Sequence, residues 1–286
     1  MNTSLSRRQF LAASATAFSL LPRCLRADDE SSTPFPLVDC HVHLDNSTID
    51  KVVALSKERG IKFGIVEHAG TKENRYPVVL SNDDELERYI AGLEGKTVFK
   101  GIQTEWNDWM GCFSRATLAR LDYVLTDTMT FPGKDGRRVK LWEPGVEERV
   151  DMADKQKWMD RYVDWHIAII SQQPIDILAN ASWLPAPLAK EYDAYWTAER
   201  VQRVIDTAVK FRVALEISSS YRLPKLAFLK QAKAGGVKFS FGSNGRYPNM
   251  GKLDYSVAMA KELGLKPADL FSPAPDGQKA VQRRVY

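Results

Sequence analysis

The sequence predicts a (β/α) barrel of seven strands, on three observations. Seven short β-branched or apolar runs alternate with amphipathic stretches between residues 37 and 264. Within each run the apolar residues are nearly continuous, as in a parallel sheet covered on both faces. Nearly every run also ends in a side chain able to do chemistry. The alternation implies right-handed crossovers. An open doubly wound sheet and a closed barrel both satisfy it. The polar strand ends favour the barrel, in which all strand C-termini converge on one face.

Each element has its own warrant. "LVDCHVH" (37–43) closes on His41 and His43. Alternate residues of a strand share a face, so Cys40 is expected to point away from both histidines. "STIDKVVALSKERG" opens on a Ser/Thr cap and stops at Gly60, which marks a helix. "KFGIVEH" (62–68) ends in Glu67 and His68, and the helix "SNDDELERYIAGLEG" follows. "TVFKGIQTE" (97–105) ends in Glu105, ahead of the tryptophan-rich "EWNDWM" with Trp106 and the helix "SRATLARL". "DYVLTDT" (122–128) brings Asp127. The long connection 129–152 is expected to cover the mouth. In the longest helix, "DMADKQKWMDRYVDWHIAIISQQ", His166 repeats at helical spacing with Trp158, Tyr162 and Ile169, which reads as packing. "IDILANA" (175–181) carries Asn180, "VALEISS" (213–219) carries Glu216 and "KFSFGSN" (238–244) carries Asn244. The helices "TAERVQRVIDTAVKF", "LPKLAFLKQAKAGG" and "GKLDYSVAMAKELG" complete the alternation.

The net charge of +4 resides in the N-terminus. Residues 1–27 hold Arg7, Arg8, Arg23 and Arg26 and no acid, so the remainder has 36 basic and 36 acidic residues. A neutral remainder gives no electrostatic case for nucleic acid or an anionic membrane. "SRRQFL", then "LAASATAFSLL", Pro22 and "LRA" read as a charged region, a short apolar region and a cut after Ala27. About eleven apolar residues are too few for a span of roughly 20. The pair Arg7–Arg8 resembles a bacterial twin-arginine export signal, which implies a periplasmic or otherwise exported protein that folds before export. The expected organisation is signal 1–27, linker 28–36 and barrel 37–286. After signal removal Cys40 and Cys112 remain, too few for a disulfide framework.

The succession "VDCHVHLDN", "GIKFGIVEHAG", "KGIQTEW", "LDYVLTDTM", "IDILANAS", "VALEISSS", "KFSFGSNGR" resembles, in order and spacing, the polymerase and histidinol phosphatase (PHP) family over roughly residues 37–250. The resemblance implies a distorted (β/α)7 TIM-like barrel with up to three metal ions at its mouth. His41, His43, Glu67, His68 and Glu105 match the family's pattern. Four further family ligands are replaced here by Met129, Asn180, Asn244 and Arg246. A guanidinium cannot ligate, and an amide oxygen is a poor donor beside imidazole or carboxylate.

What the resemblance implies is therefore a reduced, mononuclear site. One divalent ion (zinc, manganese or iron) would be held by His41, His43 and Glu105, with Asn244 where the family has Asp. Arg246 would replace a second ion and hold an anion bidentately. His68 or Glu67 would move the proton, and Asn180 and Trp106 would contact substrate. The expected activity is a metal-dependent hydrolase, phosphoesterase-like, acting on a small anionic or sugar-containing molecule. A non-catalytic binding protein and a metal-assisted lyase or isomerase remain alternatives. Substrate and oligomeric state are not legible in the sequence.

Overall fold

All seven expected runs form strands of one parallel sheet in a computed structural model that describes residues 33–286. In chain order the strands are β1 (Val38–Val42), β2 (Lys62–Ala69), β3 (Val79–Leu80), β4 (Phe99–Thr104), β5 (Tyr123–Thr126), β6 (Thr130–Pro132), β7 (Arg138–Lys140), β8 (Ile177–Leu178), β9 (Ala214–Ser218) and β10 (Phe239–Gly242). The sheet runs β1-β2-β4-β5-β8-β9-β10, every pairing parallel. Two short pieces were not foreseen: β3 adds to β2, and β6 with β7 forms an antiparallel hairpin inside the connection 129–152. The proposed export signal lies outside the described residues.

The helices between strands start where capping chemistry dictates. Thr48 caps Ile49–Arg59, Asn82 caps Asp83–Leu93, Asp154 caps Lys155–Gln172 and Thr197 caps Ala198–Phe211, each accepting a backbone N–H of the first turn. Gly60 and Gly264 end their helices in the left-handed conformation. Among the described residues no helix is long and apolar enough to cross a membrane.

Alternation along the strands separates two apolar layers. Phe63, Ile65, Ile102, Val124 and Leu215 pack outward against the helices. Val66, Tyr123, Leu125, Ile177 and Ala214 fill the inside. Tyr123 spans that interior and donates to the Cys40 carbonyl at 2.7 Å. Its ring fits because Gly64 and Gly101 leave the room: a Cβ on Gly64 would lie 2.2 Å from the Tyr123 hydroxyl. Cys40 packs in this interior cluster rather than away from the histidine face. A β-bulge between Asp39 and Val42 sets three steps of β1 against two of β2 and resets the alternation.

The circle closes at the seam between β1 and β10 by one bridge, Val42 to Gly245, rather than by a ladder. His43 N donates to Gly245 O at 2.9 Å, and Gly245 N to His41 O at 3.0 Å. Asp39 does the remaining joining. Its fully buried carboxylate accepts from Ser243 N, Ser243 Oγ, Gly251 N and His41 N. The fold is thus an α/β TIM-like barrel, nearly closed, with its strand C-termini at one mouth.

Candidate active site

The mouth holds a cavity of about 240 Å3. His68, Glu105, Asp127, Asn180, Asn244 and Arg246 line it, so five strand ends do converge as the sequence predicts. The side chains divide into two constellations joined by a ring stack, His43 on His68 at 4.8 Å.

The first constellation lies across the interior. Glu216 Oε2 accepts from Asn180 N at 3.0 Å, and its Oε1 meets His41 Nδ1 at 2.7 Å. His41 Nε2 meets Gln103 Oε1 at 2.9 Å, and Gln103 Nε2 donates to Asp127 Oδ2 at 3.2 Å. Asp127 Oδ1 accepts from Met129 N. Five strands are thereby tied through one polar chain, all of it buried. Gly242 is what makes it fit, since a Cβ there would lie 1.7 Å from Glu216 Oε1. Burial, reinforced by the Glu105 charge, pushes Asp127 up to about 7. The strand carries Gln103 two residues before Glu105, and the period of two explains why both face inward.

Beside this chain sit His68 and Glu105. His68 Nδ1 is 3.3 Å from Glu105 Oε1. Tyr76 lies flat on the His68 ring at 3.5 Å, its hydroxyl held well above the usual phenol range by burial and then by Glu105. Trp142 and Tyr221, 40% and 39% exposed, stand at the lip of the cavity.

The second constellation is at the seam. His43, Asp45 and Glu67 bring one ligand atom each within 4.8 Å of one another. Both His43 nitrogens, Asp45 Oδ1 and Glu67 Oε2 are buried without a hydrogen-bond partner. Four such orphans in one spot are costly unless something binds there. Burial, followed by the His41, His68 and Arg246 charges, holds His43 well below the usual imidazole range, so the ring is neutral. Burial pushes Glu67 up to about 7 against the pull of the Leu44 N–H and Arg246. Arg246 Nε donates to the other oxygen of Asp45 at 2.5 Å, and its Nη1 reaches Asn244 Oδ1 at 3.3 Å.

A divalent ion fits this donor set. It offers one neutral imidazole and two carboxylates, the hard and borderline donors that zinc, manganese or iron take. Ligands about 2.1 Å from an ion lie at most about 4.2 Å apart, so the three would draw together slightly. The set overlaps the expected ligands at His43 only. His41 has both nitrogens engaged by Glu216 and Gln103, Glu105 faces His68, and Asn244 faces Arg246. Trp106 does not line the mouth cavity but an adjoining groove. Asp45 escaped the sequence reading. Its spacing of two from His43 was a usable signal, but it lies beyond the strand end, where spacing no longer fixes direction. Nothing in the sequence marked Tyr76. His166 is packing, edge-on to Tyr162 and Trp196.

Fold and site together define a TIM-like α/β barrel with a histidine–carboxylate mouth. No protein-family model and no curated protein matches the chain. Among solved structures it is similar to a probable 2-pyrone-4,6-dicarboxylic acid hydrolase from Acinetobacter baumannii with citric acid bound, at 11% identity and a TM-score of 0.42, over 82% of this chain and 94% of that one. A likeness at that level carries nothing over to this chain's chemistry.

Proposed function

We propose that the protein is a metal-dependent hydrolase, a divergent PHP-like barrel with a single ion, acting on a small anionic or sugar-containing substrate. One observation carries this reading: the orphaned buried atoms of His43, Asp45 and Glu67 converge while Arg246 braces the free side of Asp45. Asp45 would then serve the ion with Oδ1 and the guanidinium with Oδ2. When bound, the ion would activate water or polarise the substrate.

The chain's own residues supply the rest. Beyond its contacts with Asp45 and Asn244, Arg246 keeps the two N–H groups of Nη2, enough to orient a carboxylate, sulfate or phosphate. His68, backed by Glu105 and capped by Tyr76, is the group that moves a proton at the mouth. Asp127, pushed up to about 7, is able to hold a proton at neutral pH. Tyr76, Trp142 and Tyr221 limit water around the bound molecule. Export by the twin-arginine route belongs to the same proposal.

Metal content tests it. The chain from Asp28 onward, purified without chelator, should carry about one equivalent of a transition metal by mass spectrometry, following the stoichiometry of a three-ligand site. His43→Ala and Asp45→Ala should each lose it. Arg246→Ala should keep the metal and raise KM. No metal after reconstitution would sink the hydrolase. The engagement of both His41 nitrogens favours a second reading, a ligand-binding barrel without catalysis. Turnover in heavy-oxygen water with label in the product would exclude that reading and the lyase together.

A further inference from the structure

The hairpin of β6 and β7 borders a second cavity, of about 620 Å3. Five of its nine lining residues are cationic and two are acidic. That excess stands out in a chain whose residues beyond position 27 carry equal numbers of each sign.

Two of the cations are committed: Arg138 to Asp108 and Glu73, and Arg149 to Glu143. Three are available. The Arg75 side chain has no hydrogen-bond or ion-pair partner among the described residues, and its backbone is left-handed, φ 54°. Arg137 meets only Asp135, at 3.7 Å and in full view of solvent, a pairing worth little. Lys140 Nζ donates to Asn74 O and lies 3.8 Å over the Tyr76 ring and 5.4 Å from the Trp142 ring. Those two rings line the mouth cavity. Lys140 and its aromatic neighbours are therefore the wall that the two cavities share. Trp106 also lines the groove, its ring 5.4 Å from that of Trp165 and 5.9 Å from the Arg138 guanidinium.

We propose that this groove is a second anion subsite of the mouth, so that the substrate carries an anionic group beyond the one Arg246 takes, on a body flat enough to lie against Trp106. Anionic here means a carboxylate or a sulfate or phosphate ester. Arg75 and Arg137 would grip it through their forks, and Lys140 would meet the bridging portion. The inference rests on the reading of the mouth as the substrate site.

Calorimetric titration tests it on the chain from Asp28 onward, with three disaccharide probes: one disulfated, one with two uronate carboxylates, one neutral. The charged probes should bind at least about tenfold tighter than the neutral one, and less so at high salt. Arg75→Ser with Arg137→Ser should erase most of that advantage. Both side chains are exposed and make no structural contact beyond the weak Asp135 pairing, so the thermal midpoint should stay as in the wild type. The better of the two charged probes identifies the anion. An unchanged affinity in the double variant overturns the subsite. Loss of affinity there but none in Arg246→Ala also overturns it, because one molecule would then not span both places. The hydrolase reading fails by a different measurement, the metal content.

Discussion

Replacing Gly242 by alanine should cost far more than one methyl group. The Cβ would lie 1.7 Å from Glu216 Oε1, 2.6 Å from its Cδ and 2.9 Å from His41 Cβ. Strand and bulge hold His41 in place, so Glu216 must swing away. It would lose the 2.7 Å contact with His41 Nδ1 and the 3.0 Å bond from Asn180 N. Hydrogen bonds to charged groups contribute about 1.5–3 kcal/mol each, and overpacking adds its own strain. The expected loss is about 3–5 kcal/mol, against a total stability on the order of 5–15 kcal/mol for a domain. Urea unfolding followed by tryptophan fluorescence reads it. The same change in a Glu216→Ala background should cost at least about 2 kcal/mol less, since the obstructing carboxylate is gone and only the 2.9 Å approach to His41 Cβ remains. A small loss in the wild type, or equal losses in both backgrounds, would refute the reasoning.

Three further outcomes follow from the geometry. Asp39→Ala strands the buried donors of Ser243 and Gly251 and should lower stability by about 3–5 kcal/mol in denaturant titration. His166, pushed down to about 4 mainly by burial, takes a proton in the unfolded chain near 6.5 but not in the folded one. Stability should therefore fall by about 3 kcal/mol as pH drops from 6.5 to 4, and unfolding of His166→Leu across that range should show a shallower decline. Asp176, pushed up to about 6, acts oppositely: its burial in the neutral form stabilises below its unfolded value, and that contribution is lost as pH rises toward 6. Asp176→Asn should then be less sensitive to pH between 4 and 6 in the same experiment.

The barrel was legible because its signals are local. Caps at Thr48, Asn82, Asp154 and Thr197, and stops at Gly60 and Gly264, announce the helices in the sequence itself. The seven runs occur where periodicity puts them. What escaped depends on contacts between distant residues. The bulge in β1 brings Cys40 inside, where its carbonyl accepts from Tyr123, 83 positions away. The hairpin β6–β7 read as a loop because each strand has three residues, too few for a period. At the mouth, the sequence pointed to His41, His43, Glu67, His68, Glu105, Trp106, Asn180, Asn244 and Arg246 as one neighbourhood. It did not reveal that His41 spends both nitrogens on Glu216 and Gln103, nor that Asp45 turns toward Glu67.

The seam has a consequence for how the protein is born. Asp39 and Ser243 lie 204 positions apart, yet they are hydrogen-bonded neighbours. A nascent chain therefore displays β1 long before the ribosome delivers its other flank. Until Gly245 and Gly251 emerge, the pocket of His43, Asp45 and Glu67 lacks Arg246 and one wall. The three donors themselves, all between positions 43 and 67, are complete before the last strand is made. A bound ion would tie the end of β1 to β2, and Arg246 on Asp45 would carry that hold to the end of the last strand, adding its binding free energy to the cohesion of the ring.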